Sequence, residues 1–512
     1  MDAQDLLKGE KAYGAKVRTG YASADKSKQG GVSVYGQAGK HLGLLAHVAA
    51  ADRDDYRTGG GDKVLRSASD DRDYFFKLSL LDLNDHQVRL SLNQHKSSGI
   101  YARGSNGSDA GILPDPLPTT GPSVPISQEV ERKSYSLDHR YQPINPWLDW
   151  RANVYLSENE VSYPGSIATP ISTEEQGFAI SNSALFERDA WWFKATLGID
   201  YLSEDSTTSA YKVNSENTGF YLQNNLGWHD LTITVGARLD NYVAEYRFIE
   251  LDDKDVSPNV GLTYAFTPEV SVFGSYEEAV RASGIVPVGF LSRMNSETLE
   301  NNGEKPLKAE QSKKSEVGLS YNSKGLLAVD DKVNFTLAYY STKLDGLIEL
   351  PGGGMAPGVS LNNAEVIEIT GWRLGLGWAN SNLSTQVTFN SKDVEQGNQN
   401  LGAVRRVAAA TGDQLVWDTR WQTTDYLQLG YTLKAVARLK DVPTNQPERS
   451  GYLTHSLQAE YLVKQLEGLT VNLAAHNLFD KNYADHASLY SSSTGIVAEP
   501  GRDIRLGASY AF

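Results

Sequence analysis

Apolar residues recur at every second position along most of this chain, and no other feature limits the fold as strongly. From Trp191 to Tyr201 the odd positions read Trp191, Phe193, Ala195, Leu197, Ile199 and Tyr201. The even positions read Trp192, Lys194, Thr196, Gly198 and Asp200. Successive side chains of a strand point to opposite faces, so one face here carries no charge at all. The pattern returns at 231–240 and at the C-terminus, where Ile504, Leu506, Ala508, Tyr510 and Phe512 stand opposite Arg505, Gly507 and Ser509. Many such segments are longer than the roughly 5–6 residues usual in globular proteins. Their apolar faces end in aromatics, as girdles at two membrane interfaces would. The pattern predicts an all-β transmembrane barrel rather than a soluble sandwich.

Composition narrows the alternatives. The 512 residues include no cysteine, which excludes a disulfide framework and a thiolate ligand or nucleophile. A net charge of −15 argues against nucleic acid as a partner, since phosphate binding needs clustered Lys and Arg. No apolar run reaches the roughly 18 residues of a transmembrane helix. The opening MDAQDLLKGE is polar from the second residue and does not read as a signal peptide.

Short polar turns fall near Gly39, Asn84, Asn145, Arg188, His229, Pro268, Val329, Ser381, Thr424 and Leu466. Between them lie longer connections rich in Gly, Ser, Asp and Pro: Ala51–Asp71, Ser97–Glu131 and stretches near 159–174, 282–311, 351–358, 396–412, 442–450 and 487–500. Two further connections, near 23–29 and 249–256, are shorter. Ten short turns separate eleven hairpins, which predicts 22 antiparallel strands with short periplasmic turns and long extracellular loops. An even number closes the sheet and leaves no edge in lipid. A barrel of this width is not filled by its own side chains.

The last residues carry a family resemblance. Asn477-Leu478-Phe479-Asp480-Lys481-Asn482-Tyr483, then Pro500-Gly501-Arg502 and a terminal strand ending in Phe512, resemble the barrel of TonB-dependent outer-membrane receptors. The start, Asp2-Ala3-Gln4-Asp5-Leu6-Leu7 followed by Gly14-Ala15-Lys16-Val17, resembles that family's junction between plug and barrel. The resemblance implies a junction remnant over 1–10 and a barrel over 11–512, with the plug absent from this chain. The expectation is a barrel-only chain rather than a natural split protein or a plugless pore. Two further segments resemble the haem branch of the family. Tyr276–Ser283 (YEEAVRAS) is placed like its Phe-Arg-Ala-Pro motif, and Leu307–Gly318 (LKAEQSKKSEVG) like its Asn-Pro-x-Leu segment. That branch usually has a haem-ligating histidine between the two motifs, and residues 282–306 contain none.

The resemblance therefore implies an outer-membrane receptor for haem or a ferric siderophore, with no built-in cofactor and most simply a monomer. Its partners would be lipid and lipopolysaccharide, the plug, and the TonB complex acting through the plug. His486 is the expected iron ligand, since a neutral imidazole on an outer loop can coordinate iron, and His95 is similarly placed. Tyr483, Tyr101 and Tyr56 supply aromatic faces, and Arg103, Arg281 and Arg293 supply charge for an anionic chelate. Asp52–Tyr56 (DRDDY) reads as a solvated loop rather than a cation site. Three methionines, Met294 among them, are too few for a copper-lined path. No nucleophile elbow, P-loop, His-Glu-x-x-His or dinucleotide fingerprint occurs, so an enzyme is not expected. The alternatives are a passive pore, a receptor for a non-haem metallophore, and a phage or bacteriocin receptor.

Overall fold

The computed structural model describes residues 2–7, 11–102, 125–165, 170–208, 212–246, 249–281, 308–349, 362–363, 366–396, 410–440, 442, 447–488, 490–491 and 495–512. The chain forms one closed 22-stranded antiparallel barrel. Its first half comprises β1 (Tyr13–Ala22), β2 (Lys28–Ala38), β3 (Leu42–Arg53), β4 (Ser69–Leu83), β5 (His86–Ala102), β6 (Pro125–Tyr141), β7 (Trp150–Ser162), β8 (Ile171–Arg188), β9 (Trp191–Thr207), β10 (Lys212–Trp228) and β11 (Leu231–Tyr246). The second half comprises β12 (Ile249–Ala265), β13 (Val270–Arg281), β14 (Glu310–Lys324), β15 (Lys332–Asp345), β16 (Ile367–Ala379), β17 (Leu383–Gln396), β18 (Gln414–Thr424), β19 (Leu427–Val436), β20 (Tyr452–Leu462), β21 (Leu469–His476) and β22 (Asp503–Ala511). Each strand pairs with its neighbour in sequence, and β22 closes on β1 from Lys16↔Ala511 to Ala22↔Arg505. Two main-chain hydrogen bonds of 3.0 Å between Ala15 and Phe512 finish the seam.

All ten short turns fall where the sequence places them. At Asn84 and Asp85 both residues take positive φ, 51° and 68°. Asn and Asp tolerate this conformation, and it suits the twist of a two-residue hairpin. Two long-loop connections differ from expectation. Residues 249–256 are strand, the first half of β12. The link from Thr207 to Lys212, too short to carry a Gly/Pro signal, was not foreseen.

The two faces follow the alternation. Val17, Val34, Val48, Val154, Leu197, Phe220, Val235 and Leu506 are exposed on the outside. Aromatic contacts band the short-turn end, Phe186 on Trp191 at 5.0 Å and Tyr264 on Phe266 at 5.0 Å among them. The inner face is polar. There Arg238 forks onto Asp200 at 2.6 and 2.7 Å and onto Asp240 at 2.9 Å. An apolar core cluster lies where the N-terminal segment seats on the inner wall: Ala3, Leu6 and Leu7 pack with Tyr35, Leu45 and Phe75. Asp2 anchors that segment by accepting from Lys77 (2.8 Å), Ser79 (2.7 Å) and Arg89 (3.0 Å). Burial alone would raise its carboxyl, but these donors outweigh burial and hold it at about 2.

Candidate functional site

The long-loop end is where ligand-binding residues were expected, and the described loops there are strapped together. Loop 54–68 meets the closing connection 477–502 across the barrel seam. Gly501 donates its N–H to the Arg57 carbonyl at 2.8 Å, and the Tyr56 hydroxyl donates to the Ala498 carbonyl at 3.0 Å. A side chain at Gly59 would place its Cβ 2.5 Å from the Lys481 carbonyl, so only glycine allows this approach. The first hairpin is tied in too: Asp503 Oδ1 accepts the N–H groups of Ser23 (2.9 Å) and Ala24 (3.0 Å).

The Asn-Leu-Phe-Asp motif is the clamp of this assembly. Asn477, at φ 45°, donates from Nδ2 to the carbonyls of Lys481 (2.8 Å) and Pro500 (3.2 Å), and its Oδ1 accepts the Lys481 N–H at 2.8 Å. Asp480 accepts the Arg502 N–H at 2.7 Å. The DRDDY segment is also committed to its loop, for Asp55 accepts the N–H groups of Ser67 and Ala68 at 2.8 and 3.0 Å.

His486 lies beneath these straps. Its ring is buried, Nδ1 accepts the Gly412 N–H at 3.0 Å, and Nε2 donates to the Ser450 carbonyl at 3.1 Å. In this arrangement neither nitrogen keeps a lone pair for iron. The imidazole braces three connections. Beside it the Tyr452 and Tyr483 rings lie tilted against each other with centroids 4.4 Å apart, and Tyr452 donates to Asp485 at 3.1 Å. Burial, with Glu499 adding to it, pushes both the Tyr483 and Tyr56 hydroxyls up to about 12. Burial and then the nearby Asp485 charge raise the Glu499 carboxyl. Asp485 moves the other way, because the Ala487 N–H, Lys434 and Tyr452 outweigh its burial.

The two haem-branch-like segments are partners. They form β13 and β14, with Tyr276 opposite Ser315 and Arg281 opposite Glu310. Arg281 Nε binds Glu310 at 2.6 Å, so its charge already has a carboxylate. Tyr101 belongs to β5, but its side chain lies outside the described residues, as do Arg103, Arg293 and Met294. The expected site residues thus divide: Tyr56, Tyr483 and His486 come together at one side of the mouth, and Arg281 stands apart on β13.

One pair escaped the sequence reading. Asp73 and His95 face each other across β4 and β5 on the inner wall, with Asp73 Oδ1 at 2.7 Å from His95 Nδ1. The sequence signal is their inward parity, but which residue opposes Asp73 depends on a bulge between Leu80 and Leu83. Among the described residues no group of three or more His, Asp or Glu is placed to hold a metal ion.

Comparisons with known proteins agree with this architecture. A family described as TonB dependent receptor-like, beta-barrel, matches residues 82–478. The TonB-dependent heme receptor A of Haemophilus ducreyi is 21% identical over 100% of this chain and 80% of its own length. The FrpB iron transporter of Neisseria meningitidis superposes with a TM-score of 0.82 at 20% identity, over 100% of this chain and 83% of that one. The Serratia marcescens hemophore receptor HasR, in complex with its hemophore HasA and heme, does so with a TM-score of 0.78 at 16% identity, over 100% and 82%.

Proposed function

Since this chain belongs to the TonB-dependent receptor-like β-barrel family and lies in the outer membrane, we propose that it is the barrel of a receptor for an iron complex, haem foremost. The observation that carries haem is the similarity, over the whole chain, to a heme receptor. The pairing of the two haem-branch-like segments as β13 and β14 supports it further. The relatives are receptors and transporters rather than enzymes.

Captured ligand would rest against the mouth formed by the strapped loops. Tyr483 offers stacking area there, while Lys434 supplies positive charge within 3.5 Å of Asp485. The proposal includes a plug in the lumen and energy delivered through it by the TonB complex. Its support is the width of a 22-stranded barrel and an inner wall that already seats the segment Asp2–Leu7. A ferric siderophore is the second reading, favoured by the likeness to an iron transporter.

Quenching of tryptophan fluorescence in the purified, refolded protein separates the two. Haemin is expected to quench at micromolar concentration, with ferric catecholate and hydroxamate chelates weaker. Saturable quenching by a ferric chelate and none by haemin would overturn the haem reading.

A further inference from the structure

We propose that two of the short turns, 142–149 and 325–331, insert their apolar tips into the periplasmic leaflet of the outer membrane and hold the barrel at its depth there. The partner is the glycerophospholipid of that leaflet. The inference uses the outer-membrane placement of the barrel and is independent of which ligand the mouth receives.

A short turn that faces water is polar, as Asn84 and Asp85 are. These two turns are not. Turn 325–331 reads Gly-Leu-Leu-Ala-Val-Asp-Asp, with Leu326 and Leu327 exposed and Val329 fully so. Turn 142–149 reads Gln-Pro-Ile-Asn-Pro-Trp-Leu-Asp, with Ile144 fully exposed and Trp147 more than half so. Apolar residues gathered at an exposed tip mark a contact surface rather than a solvated loop.

The backbone shows which environment the tips suit. A segment that leaves water has to satisfy its own N–H groups. Asp331, itself buried, does this for turn 325–331: its carboxylate accepts the N–H groups of Leu326 (2.8 Å), Leu327 (2.9 Å) and Ala328 (3.1 Å). Gly325 donates its N–H to the Asp331 carbonyl at 3.0 Å, and Asp331 donates its own to the Ala328 carbonyl at 3.2 Å. Turn 142–149 reaches the same end by another route. Pro143 and Pro146 have no N–H to satisfy. Trp147 and Leu148 donate to Asn145 at 3.0 and 3.1 Å, and Asp149 donates to the Ser183 carbonyl at 3.1 Å. Most backbone donors of both tips therefore need no water.

Both turns also lean onto the lipid-facing side of the wall. Trp378 donates its indole N–H to Asp331 Oδ2 at 3.0 Å. On its strand, Leu376 and Trp372 share its parity and are exposed on the outside. Asp330 accepts the Ser381 N–H at 3.2 Å, which draws the turn along the rim toward that tryptophan. Lys324 and Lys332, opposite each other at the base of the turn, fall on the inward parity, so their charge stays off the outer side. At the other turn, Trp147 packs edge-on against Phe186 at 6.0 Å, and Phe186 stacks on Trp191 at 5.0 Å. Asn182, directly opposite the lipid-facing Leu197, donates to the Trp147 carbonyl at 3.0 Å. The tips continue the aromatic band of the wall, whose rings sit at headgroup level. The turns follow β6 and β14, so they meet the leaflet on different sides of the 22-stranded barrel and resist its tilting.

The chain has no cysteine, so a single one can be labelled without background. Ile144→Cys, Leu327→Cys and, as a water-facing control in another short turn, Asp425→Cys would each carry an environment-sensitive fluorophore. The proteins would be held in nanodiscs of phosphatidylethanolamine and phosphatidylglycerol. Quenching by lipid spin-labelled near the top of its acyl chain is compared with quenching by iodide. The labels at 144 and 327 are expected to be quenched by the lipid about threefold more than the label at 425, and to be shielded from iodide to a similar degree. Adding Asp331→Ala to the Leu327→Cys protein should open that label to iodide, because the released N–H groups call for water. Circular dichroism and heat-modifiable gel migration establish that each variant is folded. Equal access of iodide to all three labels, with no lipid quenching, would overturn the proposal and leave the turns in periplasmic water. Shielding from iodide without lipid quenching would overturn it as well, since protein rather than lipid would then cover the tips. Lipid quenching at one turn alone would overturn the paired hold, and an unchanged label in the Asp331→Ala protein would overturn the role given to that carboxylate.

Discussion

Two histidine sites on the same barrel show how little position says about chemistry. At the mouth, His486 sits where a receptor should meet its ligand, yet Gly412 and Ser450 occupy both ring nitrogens. On the lumen wall, His95 sits on a strand, and its ring is held at one nitrogen, by Asp73 on the neighbouring strand. The first imidazole is spent on holding loops together, whereas the second ties one strand to the next. The difference lies in what backs the ring: backbone groups of two other connections at the mouth, a single cross-strand carboxylate on the wall.

The strapped mouth should break most visibly at its tightest point. Gly59→Val forces a Cβ into the Lys481 backbone and should free loop 54–68 from the closing connection. Limited proteolysis would then cut within 54–68 at least tenfold faster, while the strand content in circular dichroism stays unchanged. Asn477→Ala removes three hydrogen bonds from the clamp. At roughly 0.5–1.5 kcal/mol for each bond, the loss should be about 1.5–4.5 kcal/mol in a urea unfolding titration. A loss within error would show that the clamp is redundant.

His486→Ala sharpens the comparison from the other side. It strands a buried Gly412 N–H, which costs about 1–3 kcal/mol, and should lower stability while leaving haemin ligation intact. Arg281→Ala should cost about 1–3 kcal/mol, because its guanidinium is half exposed but its loss takes a charged partner from the buried carboxylate of Glu310.

The smallest effect is one of pH. The folded-state value of Glu499 is raised above the ordinary 4.5. Its ionisation therefore disfavours the folded state, and stability present below about pH 4.5 is lost as the pH rises through the raised value. Glu499→Gln should be more stable than the parent at pH 7 and equal to it at pH 4. Equal unfolding midpoints at both values would contradict the assigned burial.

Much of this fold is legible in the sequence because a barrel in lipid obeys one rule everywhere. Alternation fixes the faces, and turn residues such as Asn84 and Asp85 mark short connections. Legibility stops where no local residue marks the event. The link from Thr207 to Lys212 has no turn signature, and 249–256 looked like a loop because polar residues also belong on strands that rise above the membrane. The site was harder still. Leu83 pairs with His86, but the bulge shifts the ladder by one before Leu80 pairs with Val88. Without that shift Asp73 would oppose Lys96, and the Asp73–His95 pair would not exist. His486 was legible as a position, and its hydrogen bonds to Gly412 and Ser450 come from two other connections far away in sequence.

The most direct test asks whether the mouth histidine touches the ligand. Haemin would be titrated into folded parent and His486→Ala proteins side by side, with the Soret band read for each. The account predicts a haemin-shifted band in the parent and the same band in His486→Ala, because both ring nitrogens of His486 are already engaged. Loss of the band in a folded His486→Ala protein would contradict it and place the iron ligand at the mouth.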